Sequence, residues 1–386
     1  MQKVRLGIIG LGVQGSVYAE FLTEGKVKNM ELGAICDTDP KKKAIAEGKY
    51  PNIPFYENYI ELLENGKVDA VITCVPHYLH PEIGIQALER DIHVLVEKPA
   101  GIDAKQVKEL NKVAASKPEL TFGIMFNQRT NKLYQKVKEV INNGEIGRIR
   151  ATNWLITTWW RPQAYYDESS WRATWEGEGG GVLVNQAPHQ LDLFQWICGM
   201  PNKVFANIKY GNHRDITVDN DATIVLDYGD GATGVFITRT HDLIGTDRLE
   251  ILGDKGKIVV DDSKKLTIYR LHEDEAKTNA RMKQEDVQTV VSGGGLKDIY
   301  SEETSVFESK WGEQHINVLK NFTATILGEE PILAPGSDGI YGVELVNAIY
   351  LSSWLGKEVS LPVDEELFLQ ELNKRIEKEK QNSVHQ

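Results

Sequence analysis

The sequence predicts an α/β protein that begins with a doubly wound parallel sheet and continues into a second domain with antiparallel strands. Short apolar runs alternate with amphipathic helical patterns through the first part of the chain. A glycine-rich turn joins the first of these strands to the first helix, and paired strand patterns flank glycine turns beyond residue 220. The chain has 386 residues, which is too many for one core of ordinary size and indicates two domains.

The first predicted unit is a strand, a tight turn and a helix. An apolar run, Val4–Ile9, leads into the pattern G-x-G-x-x-G, and apolar residues at helical spacing follow. In such a unit the first glycine permits the turn, the second lets the backbone approach a pyrophosphate, and the third lets helix and strand pack closely. The start of the helix offers free N–H groups to phosphates. The predicted dinucleotide-binding residues here are Gly10, Gly12, Val13, Gln14 and Gly15.

The second predicted strand, ELGAICD, ends in Asp37, 22 residues after Gly15. A carboxylate at this position accepts hydrogen bonds from the adenosine ribose and repels a 2′-phosphate, so Asp37 favours NAD over NADP. Asp37 could instead cap the next helix, but Asp39 is the better cap because Pro40 suits the first helical position. The lysine run at 41–43 could support a 2′-phosphate, although such a run is usually a solvated helix face.

Polar residues follow the later strands of the same sheet. Further apolar strands are predicted at 69–76, 93–99 and 120–126. Ligands bind beyond the C-terminal ends of parallel strands, so Pro76, Glu97 and Lys98 join the predicted cofactor-binding residues. His77 and His80 form an H-x-x-H pair, but no third ligand lies nearby in the sequence. A structural role is therefore favoured for both, and no metal is expected.

Several motifs occur in the order and spacing of a known family. They are G-x-G-x-x-G at 10–15, VITCVP at 71–76, Glu97-Lys98-Pro99, GEIGRI at 144–149, and three glycines at 179–181 followed by His189. On these motifs the chain resembles the Gfo/Idh/MocA family, whose name covers glucose–fructose oxidoreductase and inositol 2-dehydrogenase. The resemblance implies a Rossmann domain, which we place at 1–125. It also implies an α/β domain with a large, mostly antiparallel sheet, at 126–386, whose C-terminal helices pack back on the first domain.

Two hairpins are predicted in the second domain without reference to the resemblance. Residues 222–240 turn at Gly229–Gly231, and residues 248–262 turn at Asp254–Gly256. Adjacent hairpins build an antiparallel sheet with a broad face to cover, so we expect association through that face into a homodimer or homotetramer. The polar stretch 272–310 is interpreted as an insertion or mobile loop over the sheet.

Lys98 and His189 are the candidates for acid–base chemistry. Oxidation of a secondary alcohol requires a hydride acceptor, a base for the hydroxyl proton and a donor for the developing alkoxide. Lys98 lies beside the expected nicotinamide and can be that donor, and the resemblance implies substrate positioning and proton transfer for it. His189 has an ordinary pKa of about 6.5 and is the preferred base. The structural alternatives are a surface lysine and a helix-terminal histidine satisfied by backbone. The glycines at 179–181 are expected to leave room for a sugar and the nicotinamide.

Asn185 departs from the family motif, which has an aspartate four residues before the histidine. An amide can hydrogen-bond His189 or a substrate hydroxyl, but it cannot raise the pKa of the histidine as a carboxylate would. We therefore expect a neutral His189 that acts without a carboxylate partner, with Lys98, His189 and Asn185 as the catalytic set. Asp192 could substitute for the missing carboxylate, although an acidic residue in the first turn of a helix is the simpler interpretation.

The segment WLITTWWRPQAYYDESSWRATW, residues 154–175, is rich in aromatic side chains. Aromatic rings stack on the apolar faces of pyranose sugars while polar groups bind the hydroxyls. Core packing is the competing interpretation for about half of the tryptophans. With Asn185, the segment resembles a subgroup that oxidises glycosides at ring position 3. The predicted substrate-binding residues are Trp159, Arg161, Tyr166, Trp171, Arg172 and Asn185.

Composition excludes several other classes of partner. The formal net charge is −12 and no lysine–arginine block occurs, so nucleic-acid binding is not expected. Cys36, Cys74 and Cys198 have no metal-binding spacing, and their odd number fits a reducing compartment. There is no signal-peptide pattern, and no apolar run approaches the ~20 residues needed to span a bilayer. We expect a cytoplasmic protein without a membrane partner.

Three functions remain in competition. The leading one is an NAD-dependent dehydrogenase of a sugar, glycoside or cyclic polyol. The second is a glycosidase that retains NAD and oxidises the sugar only transiently, which net formation of NADH would distinguish from a dehydrogenase. The third is a non-catalytic dinucleotide sensor, which would need neither Lys98 nor His189.

Overall fold

The first part of the chain forms a parallel, doubly wound sheet. The computed structural model describes residues 3–65, 67–294, 296 and 298–384. In chain order the elements of this part are β1 (Val4–Ile9), α1 (Val13–Thr23), β2 (Met30–Cys36), α2 (Pro40–Lys49), β3 (Phe55–Tyr56), α3 (Tyr59–Glu64), β4 (Ala70–Thr73), α4 (Leu79–Glu89), β5 (His93–Val96), α5 (Ala104–Ala115) and β6 (Phe122–Ile124). The described strands lie in the order β3-β2-β1-β4-β5-β6, and each pair is parallel. The order reverses between β1 and β4, which is where such sheets bind dinucleotides.

The strands of this sheet are buried on both faces. All four residues of β4 are buried, as are the last three of β5, because helices cover both sides of a parallel sheet. One face packs against α1, and the other packs against α3, α4 and α5. Asp39 accepts a 2.9 Å hydrogen bond from the N–H of Lys41 and caps α2, with Pro40 at its first position, as the sequence predicts.

A second, larger sheet occupies the rest of the chain. The elements that follow β6 in the chain are α6 (Lys132–Asn142), β7 (Ile149–Ile156), α7 (Gln163–Tyr166), α8 (Pro188–Cys198), β8 (Lys203–Tyr210), β9 (Asp219–Asp227), β10 (Thr233–Arg239), β11 (Asp247–Gly253), β12 (Gly256–Asp261), β13 (Lys265–Leu271), α9 (Glu275–Arg281), α10 (Gln284–Thr289), β14 (Tyr300–Val306), α11 (Glu313–Ile326), α12 (Gly339–Leu355), β15 (Val359–Ser360) and α13 (Glu365–Val384). The described strands lie in the order β14-β13-β12-β11-β7-β10-β9-β8-β15. The fold class predicted from the sequence is confirmed.

Both predicted hairpins form, but they are not neighbours. β9 pairs with β10 and β11 pairs with β12, both antiparallel. β7 lies between them, antiparallel to β11 and parallel to β10. Trp154 of β7 is buried and its indole N–H donates to Asp247 at 3.0 Å. The pairing of β7 is long-range, so local turn patterns do not reveal it.

The interpretation of 272–310 as an irregular loop is wrong for part of that stretch. Residues 300–306 form β14, which pairs with β13 along seven residues at the edge of the sheet. Its sequence, YSEETSV, is polar because nearly all of the strand is exposed, so it lacks the apolar alternation by which a half-buried strand is recognised.

The late helices connect the two sheets. Residues of α11 pack into the core around β1 and α1. Asn347 of α12 accepts a hydrogen bond from the N–H of Ala104 at 3.0 Å and donates to the carbonyl of Ile102 at 2.8 Å. Glu379 of α13 accepts from the N–H groups of Trp175 and Glu176, each at 3.1 Å. None of the described helices is long and apolar enough to cross a membrane.

Candidate active site

The turn between β1 and α1 has the geometry of a phosphate-binding loop. Gly10 has φ +98°, and a Cβ there would lie 2.2 Å from the carbonyl oxygen of Cys74. A Cβ on Gly15 would lie 1.9 Å from the carbonyl oxygen of Gly10, so helix and strand could not pack as they do. Gly12, immediately before α1, would place a Cβ in open space. The open position is therefore the one where a pyrophosphate approaches.

The residues after Gly12 also fit a bound dinucleotide. Val13, the first residue of α1, is 87% exposed. The side-chain nitrogen of Gln14 is buried and makes no hydrogen bond of good geometry among the described residues, although the Tyr18 hydroxyl lies near it. A buried donor without a partner is costly, and a bound dinucleotide would supply an acceptor. The N-terminal N–H groups of α1 add a site for phosphate.

Asp37 lies at the C-terminal end of β2, beside this loop. Its carboxylate accepts hydrogen bonds from the N–H of Leu11 at 2.7 Å and the N–H of Asp39 at 2.9 Å. Asp37 is thus held against the glycine loop, and it does not cap α2. A carboxylate has about four acceptor positions, so two remain for ribose hydroxyls. Lys43, from the lysine run, forms a 2.9 Å ion pair with Glu57.

Glu97 and Lys98 follow β5. The buried Glu97 carboxylate accepts hydrogen bonds from the Tyr18 hydroxyl and from the Lys98 N–H, the latter at 3.0 Å. Burial raises the pKa of Glu97. The Lys98 ammonium donates to the backbone carbonyl of Asn185 at 3.0 Å. Burial lowers the pKa of Lys98, although the charges of Glu97 and Glu178 act in the opposite direction.

Lys98, His189 and Gln14 line one cavity of about 730 Å³. It extends from Gln14, at the start of α1, to the predicted acid–base pair, and its other polar lining is mainly amide and imidazole groups. These are His77, His80, Asn127, Gln128, Asn131, Gln190, Gln314 and His315. A hollow of about 770 Å³ on the exposed face of the large sheet holds none of these residues. The cavity is therefore the candidate active site.

His189 is the second residue of α8, after Pro188. Its Nδ1 is buried without a hydrogen-bond partner among the described residues. Burial and the positive charge of Lys98 lower its pKa well below 6.5. Asn127 donates to Nε2 of His315 at 2.8 Å, and burial and Lys98 lower the pKa of His315 to about 4. Both imidazoles are neutral bases at physiological pH.

Asn185 does not contact His189 through its side chain. Its amide donates to the Glu178 carboxylate, and its side-chain oxygen accepts from Gln186 at 3.1 Å. Asp192 does not substitute for a carboxylate at position 185 either. It is buried and holds Arg129 through two hydrogen bonds, at 2.9 and 2.7 Å.

The glycines at 179–181 serve packing, which corrects the expectation that they leave room for ligands. A Cβ on Gly179 would meet Ile102 at 2.6 Å, and one on Gly180 would meet the Tyr350 hydroxyl at 2.1 Å. Gly181 lies against Asp219, whose carboxylate accepts its N–H at 2.7 Å. All three glycines are buried. They allow the loop before α8 to pack against the second sheet and α12.

The predicted substrate-binding residues separate into two groups. Trp171 packs edge-on against His77, with ring centroids 6.4 Å apart, and Arg172 stacks at 4.4 Å on Tyr165 and donates to its hydroxyl at 2.7 Å. None of the six predicted residues lines the cavity as the structure describes it, and Trp171 approaches it only through His77; the six are Trp159, Arg161, Tyr166, Trp171, Arg172 and Asn185. Tyr166 is buried with its hydroxyl 2.9 Å from Thr240, and Trp159 packs against the same core. Pro76 is exposed at the end of β4.

His77 and His80 have backbone partners, as the structural interpretation predicts. Nδ1 of His77 donates to the carbonyl of Glu178 at 3.0 Å, and Nδ1 of His80 lies 2.7 Å from the carbonyl of Pro99. Within the described residues, no group of three His, Cys, Asp or Glu side chains is arranged to hold a metal ion.

Sequence reasoning missed Glu178, Asn127 and His315. Asn127 follows β6 in the sequence MFNQR and could have been found as the polar residue after a further parallel strand. Glu178 stands among the glycines of EGEGGG, residues 176–181, where only its burial and partners distinguish it. His315 lies 188 residues from its partner Asn127 and has no local signal.

Comparisons with known proteins agree with this geometry. Two family models match the chain: "Oxidoreductase family, NAD-binding Rossmann fold" at residues 4–123, and "Oxidoreductase family, C-terminal alpha/beta domain" at residues 138–361. The myo-inositol 2-dehydrogenase of Thermotoga maritima is 26% identical over 341 residues, which are 87% of this chain and 92% of that protein. The D-glucoside 3-dehydrogenase of Escherichia coli is 30% identical over 202 residues, 51% of this chain and 55% of that protein.

A solved structure resembles the whole architecture. The WlbA dehydrogenase of Bordetella pertussis, in complex with NADH and UDP-GlcNAcA, superposes with a TM-score of 0.75 and 25% identity. The match covers 94% of this chain and 100% of that one.

Proposed function

The chain belongs to the Gfo/Idh/MocA oxidoreductase family, and on that premise we propose that it oxidises a secondary hydroxyl of a sugar, glycoside or cyclic polyol with NAD. Its first domain is an NAD-binding Rossmann domain. The named relatives act on inositol and on a glucoside, and both names support a cyclic polyhydroxy substrate. The glucoside relative supports ring position 3 as the oxidised carbon.

The observation that carries the proposal is the shared cavity of Lys98, His189 and Gln14. Bound nicotinamide would supply the hydride acceptor in this cavity. His189, whose lowered pKa keeps it neutral, takes the proton of the substrate hydroxyl. Lys98 donates a hydrogen bond to the developing alkoxide and stabilises its charge.

The remaining lining suits a substrate rich in hydroxyl groups. Asn127, Gln128, Asn131 and Gln190 present amides that can both donate and accept. Asn127 also has a buried side-chain oxygen with no partner among the described residues. Trp171 and Arg172 stand behind His77 and shape that side of the site. Tyr166 is not among the proposed substrate contacts, because it is buried and its hydroxyl lies 2.9 Å from Thr240.

The test follows nicotinamide absorbance during turnover. Purified protein is mixed with NAD or NADP and with inositols, free hexoses or glycosides, beside the variants Lys98→Met and His189→Asn. Net NADH from one substrate class, lost in both variants, supports the proposal. Lys112→Met, at an exposed position of α5, is the matched control and should keep full activity. Product formation without net NADH would replace the proposal with a glycosidase that retains NAD.

A further inference from the structure

Glu178 is a buried carboxylate beside the proposed active site. The residue is 2% exposed. Its carboxylate accepts hydrogen bonds from the Asn185 amide and from the N–H of Ala173, the latter at 2.6 Å. Burying a charge is costly unless the charge is hydrogen-bonded. Burial raises the pKa of Glu178, and the hydrogen bonds from Ala173 and Asn185 act in the opposite direction. The chain therefore commits a side chain and a backbone donor to stabilising the ionised form of this carboxylate.

Ala173 shows that the arrangement is maintained against a conformational cost. Its φ is +54°, in the left-handed region that residues other than glycine rarely adopt. In this conformation its N–H reaches the Glu178 carboxylate. Backbone strain of this kind persists only where the surroundings determine it, and it is concentrated at functional sites.

Asn185 links Glu178 to Lys98. Its side chain donates to Glu178, while its backbone carbonyl accepts from the Lys98 ammonium at 3.0 Å. The negative charge of Glu178 also acts directly on Lys98, opposing the effect of burial on the pKa of the lysine. The charges of two buried carboxylates thus act on one ammonium, Glu97 from the end of β5 and Glu178 from the loop before α8.

We propose that Glu178 is a positioning residue: through Asn185 it directs the Lys98 ammonium into the cavity, and it supplies the buried countercharge that keeps this group able to hold a developing alkoxide. This inference rests on the proposed function. Glu178 reaches neither cofactor nor substrate in this scheme and acts only through Asn185 and Lys98.

Besides Glu178, only Glu97 supplies negative charge to Lys98 among the described groups. The titratable groups that act on Lys98 or feel its charge are Glu97, Glu178, His77, His80, His189 and His315. Burial lowers the pKa of each of these four histidines, which leaves them neutral. Glu97 is bound by Tyr18 and by the Lys98 backbone. If the charge of Glu178 is removed, Glu97 is therefore the one carboxylate left to act on Lys98.

Three variants test the role of Glu178 by removing its negative charge, by adding one at position 185, or by moving it from position 178 to position 185. Glu178→Gln should lower kcat by about tenfold or more and shift the alkaline limb of the pH profile to lower pH, with NAD affinity unchanged. Asn185→Asp alone places a second carboxylate against Glu178, so the two must share a proton. This variant should also have a lowered kcat. The double variant E178Q/N185D again has a single carboxylate, now at position 185, which is the hydrogen-bond partner of position 178. It should recover most of the lost rate.

The control is Glu176→Gln, at the exposed neighbour that pairs with Lys380, and it should match the wild type. An E178Q variant with wild-type rate and pH profile would overturn the proposal. A folded double variant that remains as slow as E178Q would also overturn it, because a carboxylate needed only for packing would not be replaced by a charge at position 185.

A second measurement needs no substrate. Acetylation of Lys98 by acetic anhydride is followed against pH by mass spectrometry, in wild type and variants. Lys98 should become reactive at lower pH in E178Q and return toward the wild-type curve in the double variant; unchanged curves would contradict the inference. Should E178Q not fold, the comparison of the double variant with N185D replaces it. If no sugar reduces NAD, the proposed function fails while this labelling still decides the role of Glu178.

Discussion

The Lys98 ammonium donates a 3.0 Å hydrogen bond to the backbone carbonyl of Asn185, 87 residues further along the chain. The bond joins the end of a strand in the parallel sheet to the loop before α8 in the second domain. Because the acceptor is a backbone group, its position depends on how that loop packs. The ammonium keeps two further N–H groups for a ligand in the cavity.

Lys98→Met should abolish most turnover while leaving the cofactor bound. The methionine keeps the packing of the lysine stem but cannot donate to an alkoxide, so we expect kcat to fall by about 10²–10³-fold. The affinity for NAD, measured by fluorescence titration, should change little. A Lys98→Met variant with wild-type kcat would contradict the assignment of this residue.

The pH dependence of kcat/KM should be shifted on both sides. Burial and nearby positive charge lower the pKa of His189, so it stays a neutral base until the pH falls well below 6.5. Burial also lowers the pKa of Lys98 from its usual 10.5, so activity is lost on the alkaline side before that value is reached. An acid limb above pH 6.5 would contradict this expectation, because it would require a carboxylate that stabilises the protonated form of His189. Asn185 is an amide and cannot do so.

Asp37→Ser should weaken the preference for NAD over NADP by about tenfold or more, because the repulsion of a 2′-phosphate is removed. The ratio of kcat/KM for the two cofactors measures it. Asp39→Ala is the matched control. This substitution removes the N-cap of α2, whose carboxylate accepts from the Lys41 N–H. It should cost about 1 kcal/mol of stability and leave the ratio of kcat/KM for NAD and NADP unchanged.

Gly12→Ala and Gly180→Ala should have opposite effects. A Cβ at Gly12 meets nothing within 4 Å, so we expect stability within about 0.5 kcal/mol of wild type and clearly weaker NAD binding. A Cβ at Gly180 would lie 2.1 Å from the Tyr350 hydroxyl, so we expect destabilisation of at least about 2 kcal/mol. Urea unfolding and NAD titration of both variants give the comparison.

Tyr350→Phe in the Gly180→Ala background separates two causes of the loss of stability in Gly180→Ala, the contact with the Tyr350 hydroxyl and the backbone conformation of residue 180. Removing the hydroxyl relieves the closest contact, whereas the φ of +148° at Gly180 still disfavours alanine. Because Tyr350→Phe also removes the hydrogen bond from Tyr350 to the buried Asp219, stability is measured against Tyr350→Phe alone, and partial recovery is expected. Full recovery would mean that the contact alone requires glycine at this position.

The first sheet could be predicted from sequence because its signals are local. Strand, glycine turn and helix follow one another within about 20 residues, and the positions of Asp37 and Asp39 follow from the same spacing. The second sheet was predictable only as hairpins. The insertion of β7 between them depends on pairing with β10, some 80 residues later, and no turn pattern specifies it.

The acid–base pair was predictable in identity but its surroundings were not. Lys98 and His189 stand in motifs, whereas the partner of Asn185 is settled by the left-handed conformation of Ala173 and the burial of Glu178. The glycines at 179–181 show a related limit. A glycine that admits a ligand and one that admits a neighbouring side chain look alike in sequence, and only the position of Tyr350 distinguishes them here.

The contacts that hold the loop before α8 also determine when the site can be completed during synthesis. The loop is seated by Tyr350, through Asp219, and by Glu379, through Trp175 and Glu176. Lys98 and His189 leave the ribosome long before either residue does. A nascent chain can therefore pair the strands of its parallel sheet early, although the core around β1 is complete only once α11 is present. The geometry that joins Lys98 to Asn185 is set only after the last helices have emerged.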